Sequence, residues 1–505
     1  MKRLPRYPSL FQVNTRVRLS ELAATLGRRA TLDDITDAEV EALARDGFDV
    51  VWMLGVWQTG EAGRAVSRNP QWNEEYRRTL PDLTPADVVG SCFAVRDYHV
   101  HGDFGGDEAL ARLRERLRRH GLRLVLDFVP NHVAPDHPWV SEHPDFFIEG
   151  TTERLAREPQ NYRYVDVDGD NRILAYGRDP YFAGWSDTLQ LNYGNPALQD
   201  ALMAELARIA TQCDGLRCDM AMLVLPDVFE RTWGITSAPF WPRAIPTVRA
   251  ENPQFLFMAE VYWDLEWTLQ QQGFDYTYDK RLYDRLAHRE TRAVRDHFRA
   301  GLDFQDRLVR FLENHDEPRA AATFTPDVHR AAAVITFLCP GMRFVHMGER
   351  EGRKVRISMH LGRGPREAMD PEIAAFYTTL LAVVRDAVVR DGAWQLLDVR
   401  EAWSGNPTHE AFIAFAWTTS EARRLVVVNY APHQGQCYLG LPWSDLPEKT
   451  WRLRDALGDA VYVRDGVELA RSGLYVDMPA WAYHVFDVDQ SVARTGTGTP
   501  VITTS

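Results

Sequence analysis

Three carboxylic acids stand where their neighbours could tune them for different tasks. In Gly215-Leu216-Arg217-Cys218-Asp219, strand alternation puts Arg217 and Asp219 on one side, where a guanidinium holds a carboxyl's pKa down and keeps it anionic. Glu260 lies between Phe257-Met258-Ala259 and Val261-Tyr262-Trp263, an apolar and aromatic setting that raises a carboxyl's pKa and keeps its proton near neutrality. Asp316, within Glu313-Asn314-His315-Asp316-Glu317, can hold hydroxyls and favour positive charge in a transition state. One protonated and one ionised carboxyl are what glycosidic-bond cleavage needs: the first donates to the leaving oxygen, the second attacks or activates water. Singly, each is ordinary. An isolated Arg-x-Asp is more often an ion pair inside a barrel, and a Glu at a strand end is as readily a solvated cap.

Their positions depend on the elements around them. Short apolar runs, Val50 to Leu54, Leu122 to Leu126, Gly215 to Cys218, Phe255 to Met258, Arg310 to Leu312 and Arg343 to His346, alternate with longer helical stretches. One such stretch is Asp107 to His120, with Leu110, Leu113 and Leu117 at helical spacing and Gly121 as its stop. Strands recurring between helices mean a parallel sheet, here an α/β chain with enough repeats to close a (β/α)8 TIM barrel. Asp127, Asp219, Glu260 and Asp316 each come at or just past the end of a run, and in a barrel such positions face one mouth.

The predicted division is a barrel over 1–132 and 188–388, an inserted B domain over 133–187, a C-terminal antiparallel β-sandwich over 389–488 and a disordered tail over 489–505. Segment 133–187 breaks the βα rhythm with Pro, Trp and Asp/Gly-rich turns, and the stretch after about 390 turns to short alternating strands such as Phe412 to Ala416. The Thr-Gly-Thr-Gly-Thr of the last residues offers nothing to bury.

Composition narrows the function. The 505 residues exceed one simple core, and 45% apolar with 26% charged residues is the make-up of a globular enzyme. Lys and Arg number 58 against 71 Asp and Glu, a net charge of −13, which argues against a nucleic-acid partner. With no apolar leader after Met1 and no membrane-length apolar window, the expectation is a cytoplasmic protein with no membrane partner. Five scattered cysteines without a CxxC pair suggest neither a disulfide framework nor a zinc site.

Set in order, four segments resemble the α-amylase superfamily, glycoside hydrolase family 13. They are Asp127-Phe128-Val129-Pro130-Asn131-His132, Gly215-Leu216-Arg217-Cys218-Asp219, Ala259-Glu260-Val261 and Phe311-Leu312-Glu313-Asn314-His315-Asp316. Leu189-Gln190-Leu191-Asn192 and Gly90 to Tyr98 are similar to two further family segments, so the likeness covers roughly residues 8 to 485. The resemblance implies a retaining double displacement with Asp219 as nucleophile, Glu260 as acid and base and Asp316 as transition-state stabiliser. It further implies that Arg217 supports Asp219, that His132 and His315 bind sugar hydroxyls, and that Asp127 braces the Arg217 region. Trp263 is read as a leaving-group platform. Asn131 is where calcium-binding members place a ligand, so no cofactor is required but Ca2+ is possible.

Departures bear on substrate. Met222 and Leu223 replace the Lys-His pair common in starch-degrading members, which argues against a polymer-cleaving amylase. Met220 follows the nucleophile, where Thr or Val often accompanies linkage choice, so linkage stays open; Phe93 stands where many members stack a Tyr on the sugar. The expectation is therefore an oligosaccharide or small α-glucoside as substrate, with hydrolysis first and transglycosylation or isomerisation at the same site second. A non-catalytic transporter partner is the third reading, disfavoured because the full catalytic set is present.

Overall fold

The computed structural model describes residues 3–167 and 169–491. Eight parallel strands close a barrel, each bonded to its neighbours in chain order. They are β1 (Ser9–Asn14), β2 (Val50–Leu54), β3 (Arg123–Phe128), β4 (Gly215–Cys218), β5 (Leu256–Ala259), β6 (Tyr276–Tyr278), β7 (Leu308–Arg310) and β8 (Met342–His346). Every residue of β2 is buried, because the strand is covered on both faces, by barrel interior and by helices. The helix Gly106–Arg119 shows how the cover forms. Leu110, Leu113 and Leu117 turn inward, while acids open its first turn and arginines close its last.

Two departures from expectation concern the strands. β1 and β6 join the six runs legible in the sequence, and β7 runs over 308–310, ahead of the 310–312 expected. The residues Phe311 to Asp316 therefore form a loop that leaves the barrel and carries Asp316 over its mouth.

Two excursions wall that mouth. Between β3 and β4, a ladder of His132–Val133 with Leu189–Gln190 roots a segment that holds a hairpin of Tyr162–Val167 and Asp170–Ala175. The other wall is formed by the helices Glu61–Ser67 and Asn73–Thr79, after β2, and by the loop after β8. These pack on each other through Tyr76, Leu80, Val88 and Leu361, and Arg363 holds Asp87 with two bonds of 2.7 and 3.0 Å.

The C-terminal region has a six-stranded and a three-stranded antiparallel sheet. Its last strand, Tyr483–Gln490, pairs Asp489 with Arg452 and Gln490 with Trp451, so residues 489 and 490, expected in a disordered tail, belong to a sheet. Residues 492–505 lie outside the described residues. The inner side of the large sheet, with Ile413, Phe415, Trp417 and Val428, shares one core with the barrel. All five cysteines are free and buried, and no described helix is long and apolar enough to cross a membrane.

Candidate active site

The sequence folds its acids together at the C-terminal ends of adjacent strands. Asp219 and Glu260 follow β4 and β5 directly; the Asp219 N–H donates to Phe128 O at 2.8 Å and the Glu260 N–H to Cys218 O at 3.0 Å, locking both exits in register. Between them Met220 adopts a left-handed φ of 41°, a strained conformation for a side chain of this size. That turn aims the Met220 N–H at Glu260 Oε2, 2.8 Å away.

Arg217 lies under both acids and is fully buried. Its Nη1 donates to Asp219 Oδ1 at 2.5 Å, and its Nη2 is in ion-pair contact with Glu260 Oε2 at 2.7 Å. Aromatic faces surround the guanidinium: Phe93 at 5.1 Å, Trp52 at 5.4 Å and Tyr278 at 5.7 Å. Asp127 meets Arg217 in strand register and accepts from Trp52 Nε1 at 2.9 Å and the Gly55 N–H at 2.7 Å. It therefore braces the Arg217 region through the Trp52 ring.

Burial sets the protonation. It pushes the Glu260 carboxyl up to about 7, against the pull of Arg217 and helped by Asp219 and Asp316. The Tyr262 hydroxyl donates to Glu260 Oε1 at 2.9 Å. For Asp219 the outcome differs from expectation: burial outweighs Arg217 and raises the group above its ordinary value. The guanidinium limits that rise without reversing it. Asp316, partly exposed, moves the other way: burial would raise it, but His315, then Arg217 and Arg356, hold it below the ordinary carboxylate range. His315 Nε2 is 3.1 Å from Asp316 Oδ2, and Arg356 Nη1 donates to the Asp316 carbonyl at 3.3 Å.

The remaining sequence candidates divide. Phe93 and His315 join the cluster, their rings 5.5 Å apart. His132 is buried beside Trp185, ring centres 5.1 Å apart, and burial lowers it to about 3, which keeps it neutral. Trp263 sits at the rim with φ 63° and meets Tyr181 edge-on at 5.0 Å. At Asn131 the backbone O and Oδ1, with Leu191 O, each lie 3.0 Å from the buried Gln190 Nε2, so these oxygens engage an amide donor. Among the described residues no group of three or more His, Cys, Asp or Glu could hold a metal.

Sequence reasoning missed several residues. Tyr278 lies on β6, a strand too short for periodicity to reveal. Tyr181 and Phe182 are 60% and 72% exposed at the rim, where the buried Asp179 carboxylate accepts both their N–H groups at 2.6 and 3.0 Å. The Asp-Pro-Tyr turn was the available signal. Arg356 comes from the long loop after β8, which carries no motif.

The profile of the alpha amylase catalytic domain matches residues 47–395. Alpha-amylase MalA of Haloarcula japonica is 22% identical over 456 residues, 86% of this chain and 58% of that protein. An alpha-1,4-glucan:maltose-1-phosphate maltosyltransferase of Cereibacter sphaeroides is 31% identical over 147 residues, 27% of this chain and 20% of its own length. The chain thus spans little more than half of the first relative and a fifth of the second. Among solved structures, the noncanonic maltogenic alpha-amylase AmyB from Thermotoga neapolitana superposes with a TM-score of 0.67 at 17% identity, covering 95% of this chain and 98% of that one. That likeness concerns the fold.

Proposed function

The chain belongs to the α-amylase family, and from that premise we propose that it is a retaining glycoside hydrolase acting on short α-glucosides. Asp219 attacks the anomeric carbon while Glu260 gives its proton to the departing oxygen. The glycosyl-enzyme is then opened by water, from which Glu260 takes the proton back. Asp316, held ionised, faces the positive charge that develops at the sugar ring. His132, His315, Asp127 and Phe93 line the sugar, and Trp263 with Tyr181 receives the leaving group. No calcium ion is required.

One observation carries this reading: a single guanidinium holds one oxygen of each of Asp219 and Glu260, at 2.5 and 2.7 Å. That arrangement favours the separation of about 5 Å found in retaining pairs over the roughly 6.5–9.5 Å that accommodates an inverting water. The preference for short substrates rests on the walls. With the two excursions packed around the mouth, Asp219 and Glu260 are only 5% and 3% exposed, a poor arrangement for a polymer laid across an open cleft.

The same enclosure supports a second reading, transglycosylation or isomerisation, because a site that excludes water favours a sugar as acceptor. The purified enzyme is to be incubated with maltose, maltotriose, isomaltose, trehalose, sucrose and starch, with products and their anomeric form followed by NMR. Free α-glucose from the short substrates is expected. New oligosaccharides or isomers move the assignment to a transferase or isomerase, and β-glucose as first product rules out retention.

A further inference from the structure

A buried glutamine with no part in the reaction above touches the site from below. Gln12, on β1, is fully buried, paired in register with Trp52 of β2 and His346 of β8. A polar amide in a barrel interior needs a partner, since an unpaired one costs on the order of 1–3 kcal/mol. Its Nε2 lies 3.0 Å from His315 Nδ1, while its Oε1 has no hydrogen-bond partner among the described residues. The contact with His315 is thus the one this amide keeps.

An amide nitrogen can only donate, so Nδ1 of His315 must present its lone pair. On the far side of the ring, Nε2 lies 3.1 Å from Asp316 Oδ2, at ion-pair distance but without hydrogen-bond alignment, and a lone pair there would oppose the carboxylate where an N–H would not. The ring cannot turn to escape this choice. Trp52 packs edge-on against it at 5.5 Å and 88°, and Phe93 lies against it at 5.5 Å.

We infer that Gln12 is a positioning residue that fixes His315 in the tautomer carrying its proton on Nε2, the edge of the ring that faces Asp316. The principle is general: the hydrogen bond at one imidazole nitrogen decides what the other presents. Gln12 touches no substrate. It acts through His315 on Asp316, which is faced by the Nε2 edge of the His315 ring, by the cations Arg217 and Arg356, and by the acids Asp219, Glu260 and Glu317. Without Gln12 the Nδ1–H tautomer becomes accessible, Asp316 loses an N–H neighbour, and its ionisation becomes harder.

The test has two arms. Protein labelled with 15N-histidine is examined by NMR at pH 7.5, with the His315 signals identified by their loss in His315→Gln. The expected result is an unprotonated Nδ1 and a protonated Nε2 in the native chain, and a protonated Nδ1 appearing in Gln12→Leu and Gln12→Glu. A native chain with Nδ1 protonated, as the other tautomer or as imidazolium, overturns the inference. The kinetic arm rests on the proposed double displacement and uses Gln12→Leu, a near-isosteric change whose folding is checked by near-ultraviolet circular dichroism. Turnover of an aryl α-glucoside falls roughly tenfold in kcat, the size of one lost buried hydrogen bond, with KM little changed. An unchanged kcat in this variant also overturns it. If the native enzyme turns over no glucoside, the functional reading falls while the NMR arm still decides the role of Gln12.

Discussion

Arg217 meets Asp219, Glu260 and Asp127 inside a space closed to solvent, so one positive charge faces three acids and the lowest-energy arrangement leaves a proton behind. Glu260, raised to about 7, is the group that keeps it. If Glu260 is the acid, kcat/KM falls as pH rises through about 7, and its acid limb lies above the ordinary Asp value because Asp219 is raised; a pH–rate profile on an aryl α-glucoside checks both limbs. Glu260→Gln lowers maltose turnover by about 10²–10⁴-fold but spares much of the activity on aryl glucosides, whose leaving groups need little protonation. Asp219→Ala removes roughly 10⁴-fold or more with the fold intact, measured beside a melting curve. Glu260 also links pH to stability. The unfolded carboxyl ionises near its ordinary 4.5 and the folded one near about 7, so stability drains away as pH rises across that window. Glu260→Gln should then melt higher than the native chain above pH 7 and not below pH 4.5. The three acids, Arg217 and the likeness they carry were legible because each is marked by a local pattern. The raised Asp219 was not, since burial depends on which walls close over it and a pentapeptide says nothing of those.

The elements that position these residues differ in how they are held. The inserted segment is stapled at its root by Gln190, which serves three carbonyl oxygens at once. Gln190→Leu leaves those oxygens buried and unserved and should cost about 2–4 kcal/mol, read as a lower melting temperature and faster proteolysis within residues 133–187. Because an amide and not an ion fills this place, a chelator should leave the melting temperature and turnover of the native enzyme unchanged; a fall on adding EDTA would restore calcium to the account. The opposite wall could not be read from the sequence. Its core is Tyr76, Leu80, Val88 and Leu361, residues drawn from two segments more than 270 positions apart, within stretches that are otherwise polar. Periodicity detects a face that one segment buries by itself, not a seam shared between two. β1 escaped for a similar reason, since Gln12 and Asn14 interrupt its apolar run at the positions that face the site.

Across the whole molecule, chemistry and stability occupy opposite ends of the barrel. The catalytic acids leave the C-terminal ends of the strands, whereas the other end is tied to the C-terminal sheets. Arg343, at the start of β8, donates to Tyr7 O at 2.5 Å and Val389 O at 2.9 Å, and Trp417 Nε1 donates to Leu338 O at 2.8 Å. Trp417 is fully buried and meets Tyr7 edge-on at 5.1 Å, so its indole belongs to the barrel's core as much as to its own sheet. Two regions joined by one apolar core unfold together, because exposing either strands the apolar surface of the other. Calorimetry should therefore show a single transition, and Trp417→Ala, costing about 3–5 kcal/mol, should move all of it downward. A variant in which the barrel melts at its native temperature while the sheets melt early would mean that the two are only neighbours. Well below that transition KM should stay at its native value, since Trp417 lies at the end of the barrel away from the site.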